Sequence, residues 1–358
     1  MNSRIFLILF THWIILSNLS FAQQGADSRG ATSLNEWFEQ RKQIAERWTT
    51  ELGRPAFADF ALDVKSGGTF QTPDFQAETL YQKTGPTTRQ KMVLLKPLKI
   101  DLTLNRKPND KIPGIVVPYY DPDRMCGYDL KTHERIAAYE KSSCFGLQLV
   151  RQGYIVLCVE AYPFNVLPDF ELKDFSIWSA AAKELLRQNP DWTGIGKLTF
   201  DVRRAIDYLV TVPEADPDRI AVAGHSLGGK MSFYAGCLDP RVKAIVASDF
   251  GFRWVDTNWD APWYWGEKNI ERFRQTGVDH RALLALHAPN LFVLIGGEAD
   301  NDLTEALLDD SARIFKLYTD RQRIYFFNHR SGHQPTFPTL RSAWSVLAEE
   351  FDWNATEW

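Results

Sequence analysis

The sequence of 358 residues has little of what marks several protein classes. It contains 4 cysteines, none of them in a C-x-x-C pair, so neither a disulfide-dense small domain nor a zinc site is indicated. The 41 basic residues are outnumbered by 45 acidic ones, and a net charge of −4 argues against a nucleic-acid binder. Beyond the first segment there is no repeat, no low-complexity tract and no further run long enough to span a membrane. What remains is the composition of an ordinary globular protein.

The first segment, Met1–Ala22, has the pattern of a secretory signal peptide. Arg4 supplies a positive start, an apolar run follows, and Ser20 and Ala22 place small residues before a cleavage site. We therefore expect removal of this segment, a mature chain without a stable membrane span, and a secreted or periplasmic location.

The cysteines leave one question open. Cys158 lies in an apolar run and Cys237 ends a predicted helix, so both are expected to be buried thiols. Cys126 and Cys144 flank a polar segment and could pair in an oxidising compartment.

After the signal peptide, two parts are predicted. Residues 23–76 form a helical extension with an amphipathic helix from Ser33 to Glu51, and residues 77–358 form the main domain. Its predicted strands are Ala77–Lys83, Gln90–Leu95, Pro113–Pro118, Tyr154–Val159, Ile220–Ala223, Val242–Ala247, Asn290–Ile295 and Arg323–Phe327. Its predicted helices are Arg135–Arg151, Lys197–Val210, Leu227–Leu238, Leu303–Tyr318 and Thr339–Phe351. Such alternation predicts an α/β fold, a mostly parallel sheet flanked by helices, with functional residues at the carboxyl ends of the strands.

One motif carries chemistry. Gly224 to Gly228 reads G-x-S-x-G between a buried strand and a helical pattern, and its central residue is Ser226. This spacing is typical of a sharp turn that projects a serine hydroxyl as a nucleophile, with glycines where side chains would clash. The Leu227 N–H, at the start of the helix, is the expected first oxyanion donor.

A nucleophilic serine needs a base and an acid. In folds with a G-x-S-x-G turn between a strand and a helix, the acid follows the serine along the chain and the histidine follows the acid. His333 lies in a Gly/Pro-marked loop after the last predicted strand and is the expected base, with His329 as the runner-up. Asp300, in a G-x-x-D loop, is the expected acid. Glu298, Asp302 and the more distant Asp249 remain open as alternatives.

The second oxyanion donor should follow Pro113–Pro118. The chain continues with Tyr119 and Tyr120, so we assign the donor to the backbone of one of these two residues.

These residues resemble the α/β-hydrolase superfamily over about 77–351. More narrowly, the chain resembles bacterial secreted dienelactone-hydrolase-like and acetyl-xylan-esterase-like proteins, on the segments Trp48–Gly53, Asp218–Ile220 and Leu283–Pro289. The resemblance implies an α/β-hydrolase fold and ester hydrolysis by a serine.

The chain also has a partial similarity to glucuronoyl esterases. In that family the turn that carries the serine reads G-C-S-R-x-G-K. Ser226, Gly229 and Lys230 match this pattern, but Leu227 replaces its arginine. If the similarity holds for substrate recognition, Lys230 could contact a uronate; otherwise it is an ordinary helix lysine.

An aromatic-rich insertion is predicted at about 250–285. Trp259, Trp263 and Trp265 lie there close together without a helical or strand period. Flat rings beside polar groups suit sugar rings, so these residues are candidates for substrate binding; the alternative is a structural cap on the core.

The sequence thus predicts a secreted serine carboxylic-ester hydrolase that acts on an acylated or esterified carbohydrate through an acyl-enzyme intermediate. No metal and no cofactor are expected, the partner is a small-molecule or polysaccharide ester, and no nucleic acid is involved. The alternatives are a glucuronoyl or uronate methyl esterase, a serine peptidase of the same fold, and a non-catalytic carbohydrate-binding relative. The oligomeric state stays open.

Overall fold

The structure, a computed structural model, describes residues 30–98, 110–139, 141–167 and 175–353. The strands are β1 Val64–Gln71, β2 Phe75–Lys83, β3 Arg89–Pro97, β4 Ile112–Pro118, β5 Ile155–Val159, β6 Ala215–His225, β7 Val242–Ser248, β8 Leu291–Gly296 and β9 Ile324–Asn328. The α-helices are α1 Leu34–Leu52, α2 Pro122–Cys126, α3 Phe145–Arg151, α4 Tyr162–Val166, α5 Ser176–Gln188, α6 Gly194–Leu209, α7 Leu227–Leu238, α8 Glu267–Thr276, α9 His280–Ala285, α10 Asp302–Lys316 and α11 Phe337–Glu350.

All nine described strands form one sheet in the order β1-β2-β3-β5-β4-β6-β7-β8-β9. The first three pair antiparallel, β3 pairs antiparallel with β5, and the strands from β5 to β9 in that order pair in parallel. Short apolar strands such as β5, in which every residue is buried, are typical of a parallel sheet covered on both faces. The loops after β4, β6, β7, β8 and β9 therefore meet at one edge of the sheet.

Two hydrophobic cores cover the two faces of the sheet. Alternate residues of β4 show the division, because Val116 packs in one core and Ile115 and Val117 pack in the other. The larger core includes residues of α1, α5, α6 and α7, and the smaller one includes residues of α3 and α11.

Helix α1 confirms the predicted amphipathic helix. The side chain of Ser33 caps it by accepting a hydrogen bond from the Glu36 amide. Trp37, Ile44 and Trp48 are at most 1% exposed and belong to the larger core, so the extension is packed against the main domain.

Strand β1 was not expected from the sequence. It begins at Val64 and pairs with β2, so the sheet begins before residue 77. Helix α5 was also missed.

The predicted helix Arg135–Arg151 is wrong in its first half. Arg135 forms a β-bridge with Tyr128, and the Ile136 amide donates to the Gly127 carbonyl. The α-helix begins only at Phe145.

All four cysteines are buried thiols, and no disulfide joins Cys126 and Cys144 in this structure. The Cys144 thiol instead donates to the Met125 carbonyl at 3.2 Å. The predicted signal peptide, Met1–Ala22, lies outside the described residues. Within the described ranges, every helix is too short or too polar to cross a membrane.

Candidate active site

Ser226 lies at the turn between β6 and α7, as the glycine spacing predicts. Its φ of 55° and ψ of −113° are unusual for a residue with a side chain, and such a conformation costs about 1–3 kcal/mol. The turn is held by the Ser226 amide, which donates to the Ser248 carbonyl at 2.7 Å. The strained turn directs the hydroxyl towards the loop that follows β9.

Glycines flank this turn because the backbone is too close for side chains. A Cβ at Gly224 would lie 2.3 Å from the carbonyl of Gly228, and a Cβ at Gly228 would lie 2.0 Å from the Pro118 carbonyl oxygen. The end of β4 is thereby brought against the first turn of α7.

His333, the base expected from the sequence, lies next to Ser226. His333 Nε2 lies 2.7 Å from Ser226 Oγ, so the hydroxyl can donate to the ring. Partial burial and the neighbouring His225 ring lower the pKa of His333, whereas the charges of Asp249 and Glu298 oppose this shift. A neutral imidazole at the hydroxyl is the protonation state that a general base requires.

Asp300, the acid expected from the sequence, makes no hydrogen bond to the His333 side chain among the described residues. Its Oδ1 accepts from the Phe252 amide at 3.0 Å, and its Oδ2 has no hydrogen-bond partner within the same residues. Burial raises the pKa of Asp300 to about 6. The geometry thus places this aspartate under the loop after β7 rather than behind the imidazole. Asp302 is exposed and pairs with Arg330 at 3.1 Å.

Asp249, directly after β7, occupies the centre of a histidine network. Its Oδ1 accepts from His329 Nε2 at 3.0 Å, its Oδ2 accepts from Ser248 Oγ at 2.6 Å, and His225 Nδ1 lies 3.6 Å from Oδ2. Burial would raise the pKa of Asp249, but these hydrogen bonds and the nearby histidines hold it below its usual value. An ionised carboxylate therefore lies close to the His225 ring, whose centroid is 5.1 Å from that of His333.

Glu298 is linked to the His333 loop through its backbone. Its backbone amide donates to the carbonyl of Gly332, the residue before His333, at 3.0 Å. Its side chain is exposed. Two carboxylates, Glu298 and Asp249, thus contribute negative charge to the base.

The candidate oxyanion donors separate into two groups. Leu227 is the first residue of α7, where a backbone N–H has no partner within the helix. The Tyr119 amide already donates to the Val159 carbonyl at 3.0 Å, so of the two alternatives predicted from the sequence Tyr119 is not available as a donor. Tyr120 makes no backbone hydrogen bond through its amide within the described residues and remains the candidate from this loop.

Lys230 is placed differently from the expectation of a uronate contact. It lies one turn after Ser226 but is only 3% exposed, and its Nζ donates to the Phe250 carbonyl and contacts Thr257 Oγ1. The ammonium also lies 4.0 Å from the centre of the Trp259 ring, a cation–π contact. Burial lowers the pKa of Lys230 to about 7. The Lys230 side chain is therefore buried, with its hydrogen bond and its cation–π contact inside the protein.

The aromatic-rich insertion is mostly core, which corrects the prediction that its tryptophans bind substrate. Trp259 and Trp265 are 0% and 3% exposed. Their indole N–H groups donate to the Gly251 carbonyl and the Tyr234 hydroxyl. Their ring faces are therefore unavailable to a ligand. Trp263 is 8% exposed, and its ring stacks on another aromatic residue, Phe175.

Ser226 is partly exposed and His333 is exposed, so the hydroxyl and its base lie at an open surface. Across the described ranges, no group of three or more His, Cys, Asp or Glu side chains is arranged to hold a metal ion. A serine, a neutral histidine and a nearby carboxylate at the carboxyl edge of a parallel sheet can perform nucleophilic acyl transfer.

Part of the chain matches a known protein family. Residues 102–256, which include the elbow, match the dienelactone hydrolase family. The chain has the α/β-hydrolase fold. The nine-stranded sheet with its first three strands antiparallel is this chain's version of that fold, and Ser226 lies at the turn between β6 and α7.

The most similar relatives and structures include hydrolases and carbohydrate esterases. This chain is 30% identical over 121 residues to the putative hydrolase YtaP of Bacillus subtilis. The match covers 33% of this chain and 38% of that protein. It thus spans little more than a third of that relative. A glucuronoyl esterase from Solibacter usitatus superposes with a TM-score of 0.70 at 16% identity, over 91% of this chain and 96% of that chain. A putative acetyl xylan esterase from Bacteroides fragilis superposes with a TM-score of 0.65 at 17% identity, over 85% and 78%.

Sequence reasoning missed three residues around Asp249. Ser248 and His225 were not considered as its partners, and Gly297, the first residue of the G-x-x-D loop, was not considered as its neighbour. A Cβ at Gly297 would lie 2.2 Å from Asp249 Oδ1, so this glycine makes room for the carboxylate. The double glycine at the end of β8 was the one signal in the sequence of a close approach there.

Proposed function

We propose that this protein is a serine carboxylic-ester hydrolase that acts on an acylated or esterified carbohydrate. The observation that carries the proposal is the 2.7 Å contact between Ser226 Oγ and His333 Nε2 at a strained elbow in an α/β-hydrolase fold. The contact supports acyl transfer because it couples a nucleophile to a neutral base.

In the proposed reaction, Ser226 attacks the ester carbonyl while His333 accepts the hydroxyl proton. The amides of Leu227 and Tyr120 stabilise the negative charge on the carbonyl oxygen. His333 then gives its proton to the leaving alcohol, which departs and leaves an acyl-enzyme. Water, deprotonated by His333, attacks the acyl group, and the serine is released with the carboxylic acid.

We assign the charge that balances the His333 imidazolium to Asp249, with Glu298 as the second contributor. Asp249 is buried, ionised and anchored at both oxygens, so its charge is fixed before the reaction begins. Asp300 instead anchors the Phe252 backbone. The acid would then follow β7 rather than β8.

The carbohydrate part of the proposal has two supports. The first is an open site from which a row of rings leads through buried tryptophans to one exposed ring: Tyr120 lies 5.1 Å from Trp178, Trp178 lies 6.1 Å from Trp263, and Trp263 stacks on Phe175 at 5.6 Å. Phe175 is 55% exposed at the end of this row, a surface that suits the apolar face of a sugar ring. The second is the structural likeness to a glucuronoyl esterase and a putative acetyl xylan esterase. At 16% and 17% identity this likeness shows a shared fold, and the activities named are those of the two other proteins. The signal-peptide pattern of residues 1–22 supports a secreted or periplasmic location for such an enzyme.

Hydrolysis assays on the mature chain test the proposal. The substrates are an aryl acetate, acetylated xylo-oligosaccharides, a methyl glucuronate ester and a peptide amide. Ser226→Ala is the test variant, and Ser342→Ala, an exposed serine on α11, is the matched control. We expect ester turnover that Ser226→Ala abolishes and Ser342→Ala retains.

The pattern of substrates decides between the alternatives. Preference for the acetylated sugar supports deacetylation, and preference for the glucuronate ester supports a uronate esterase. Cleavage of the peptide amide but of no ester, or no Ser226-dependent turnover with sugar binding retained, would contradict the proposed function.

A further inference from the structure

We propose that His329 is a positioning residue: it holds Asp249 in place, so that the carboxylate presents a fixed negative charge to the His333 side of the site. This inference rests on the proposed function, because it gives His329 a role in the same reaction. Two histidines four residues apart would then perform different tasks, His333 on the serine and His329 on the acid.

The hydrogen bonds of His329 define its role. Its side chain is 2% exposed, and both ring nitrogens have partners. Nδ1 lies 3.0 Å from Ser331 Oγ and accepts from the Ser331 amide at 3.4 Å. Because Nδ1 is an acceptor from an N–H group, the ring proton belongs on Nε2, where it is donated to Asp249 Oδ1 at 3.0 Å. A neutral histidine in this tautomer is a donor to the carboxylate and not a base.

The backbone around Asp249 leaves the carboxylate little freedom. Asp249 has a φ of 50°, and its amide donates to the Ile295 carbonyl of β8 at 2.8 Å. Gly297 lies directly against Oδ1, and the His329 amide donates to the Gly296 carbonyl at 2.9 Å. Three adjacent strand ends, of β7, β8 and β9, therefore hold one carboxylate, and such preorganisation lowers the cost of developing charge.

The turn between the two histidines separates their rings. Arg330 and Gly332 have φ values of 53° and 51°. These conformations reverse the chain between His329, which contacts the buried Asp249, and His333, which reaches Ser226 at the surface.

Four ionisable groups act on His333: Asp249 and Glu298 raise its pKa, and His225 and Lys230 lower it. Loss of the His329 donor would leave buried Asp249 with less stabilisation of its charge, so its own pKa would rise. The carboxylate would be protonated over more of the pH range, and the pKa of His333 would fall.

The test uses the mature chain with three variants. His329→Leu removes the donor, His329→Gln retains an amide N–H that can occupy the position of Nε2, and Asp249→Asn removes the charge. His287→Leu is the matched control, because His287 is equally buried with both nitrogens on backbone carbonyls, at Gly236 and Leu291. Histidine NMR titration gives the pKa of His333 without any substrate, and ester hydrolysis gives kcat/KM.

We expect His329→Leu to lower kcat/KM by about ten- to a hundredfold, the usual effect of losing a hydrogen bond to a charged group. The same variant should lower the pKa of His333 in the direction that Asp249→Asn does. His329→Gln should recover most of both, and His287→Leu should leave the pKa of His333 unchanged. In the Asp249→Asn background, His329→Leu should add no further loss.

Two results would overturn the inference. One is a loss of activity in His329→Leu with the pKa of His333 unchanged; the other is an equal further loss in the Asp249→Asn background. If leucine unfolds the chain, His329→Asn replaces it, because the shorter amide cannot reach Asp249. Failure of the proposed function would be seen separately, as ester turnover that Ser226→Ala does not affect, while the NMR titration would still report on the His329–Asp249 contact.

Discussion

Asp300→Asn separates a catalytic aspartate from one that anchors the backbone. Asp300 is 2% exposed, its Oδ1 accepts from the Phe252 amide, and its pKa is raised by burial from 3.8 to about 6. Because the folded chain binds the proton more tightly than the unfolded chain, stability contributed by the protonated carboxyl is lost as pH rises from about 4 to 6. A shift of about two pKa units corresponds to about 3 kcal/mol at neutral pH.

Asparagine at position 300 keeps the acceptor for Phe252 and carries no charge. Its Nδ2 would take the place of Oδ2, which has no partner in the described residues, at a cost of about 1–3 kcal/mol that does not depend on pH. The stability of Asp300→Asn relative to the wild type should therefore increase by about 2–3 kcal/mol between pH 4 and pH 7. Ester turnover should be largely retained.

Urea unfolding at pH 4, 5, 6 and 7 measures this difference, with Asp302→Asn as the control. Asp302 is the first residue of α10, two residues after Asp300, and its side chain is 83% exposed, so its replacement should change stability little at any of these pH values. A flat pH dependence for Asp300→Asn would refute the burial argument. A loss of turnover on the order of 10⁴, as when the aspartate of a serine protease triad becomes asparagine, would restore Asp300 as the acid.

Four further predictions follow from the same structure. The acidic limb of the kcat/KM profile should have its midpoint below pH 6.5, because the pKa of His333 is lowered and the neutral ring is the base; a midpoint above 6.5 in a pH–rate series contradicts this. Gly297→Ala should lower kcat/KM at least tenfold, since its Cβ would lie 2.2 Å from Asp249 Oδ1; steady-state kinetics on the variant, with its folding verified by circular dichroism, would show it, and full activity would contradict it. The wild type should gain stability relative to Lys230→Met as pH rises from 7 to 10, because the folded-state pKa of Lys230 is lowered to about 7; denaturant unfolding at both pH values tests the sign. Trp259→Ala should lose about 3–5 kcal/mol in the same unfolding assay, whereas a loss below 1 kcal/mol would mean that the ring is not core.

The parts of this fold that could be predicted are those set by local spacing. The sharp turn at Ser226 depends on glycines two residues either side of it, and helix α7 has the predicted bounds Leu227–Leu238. The buried strands follow from short apolar runs, and their observed ends differ from the predicted ones by a few residues. His333 could be placed because one loop after the last strand carries the Gly and Pro pattern of an irregular segment.

The parts that could not be predicted depend on contacts between distant segments. The helical spacing over Arg135–Arg151 is overridden in its first half by the pairing of Arg135 with Tyr128. In the sequence, Asp300 and Glu298 are neighbouring carboxylates in one loop, and only the fold turns one onto the Phe252 amide and leaves the other at the surface.

The role of the tryptophans in the insertion also could not be predicted from the sequence alone. A dense aromatic segment without period is compatible with a sugar-binding surface and with a core cap. Lys230 decides the case for Trp259, because a buried ammonium in cation–π contact with the ring requires that ring inside the protein.

The central claim, an acyl-enzyme on Ser226 formed with the help of His333, is tested most directly by intact-mass spectrometry after rapid mixing with an aryl acetate. The account predicts a burst of the alcohol and one acetyl group per chain, located on the peptide that carries Ser226, which is absent in Ser226→Ala and strongly slowed in His333→Ala. Acetylation of another residue, or full turnover in Ser226→Ala, would contradict it.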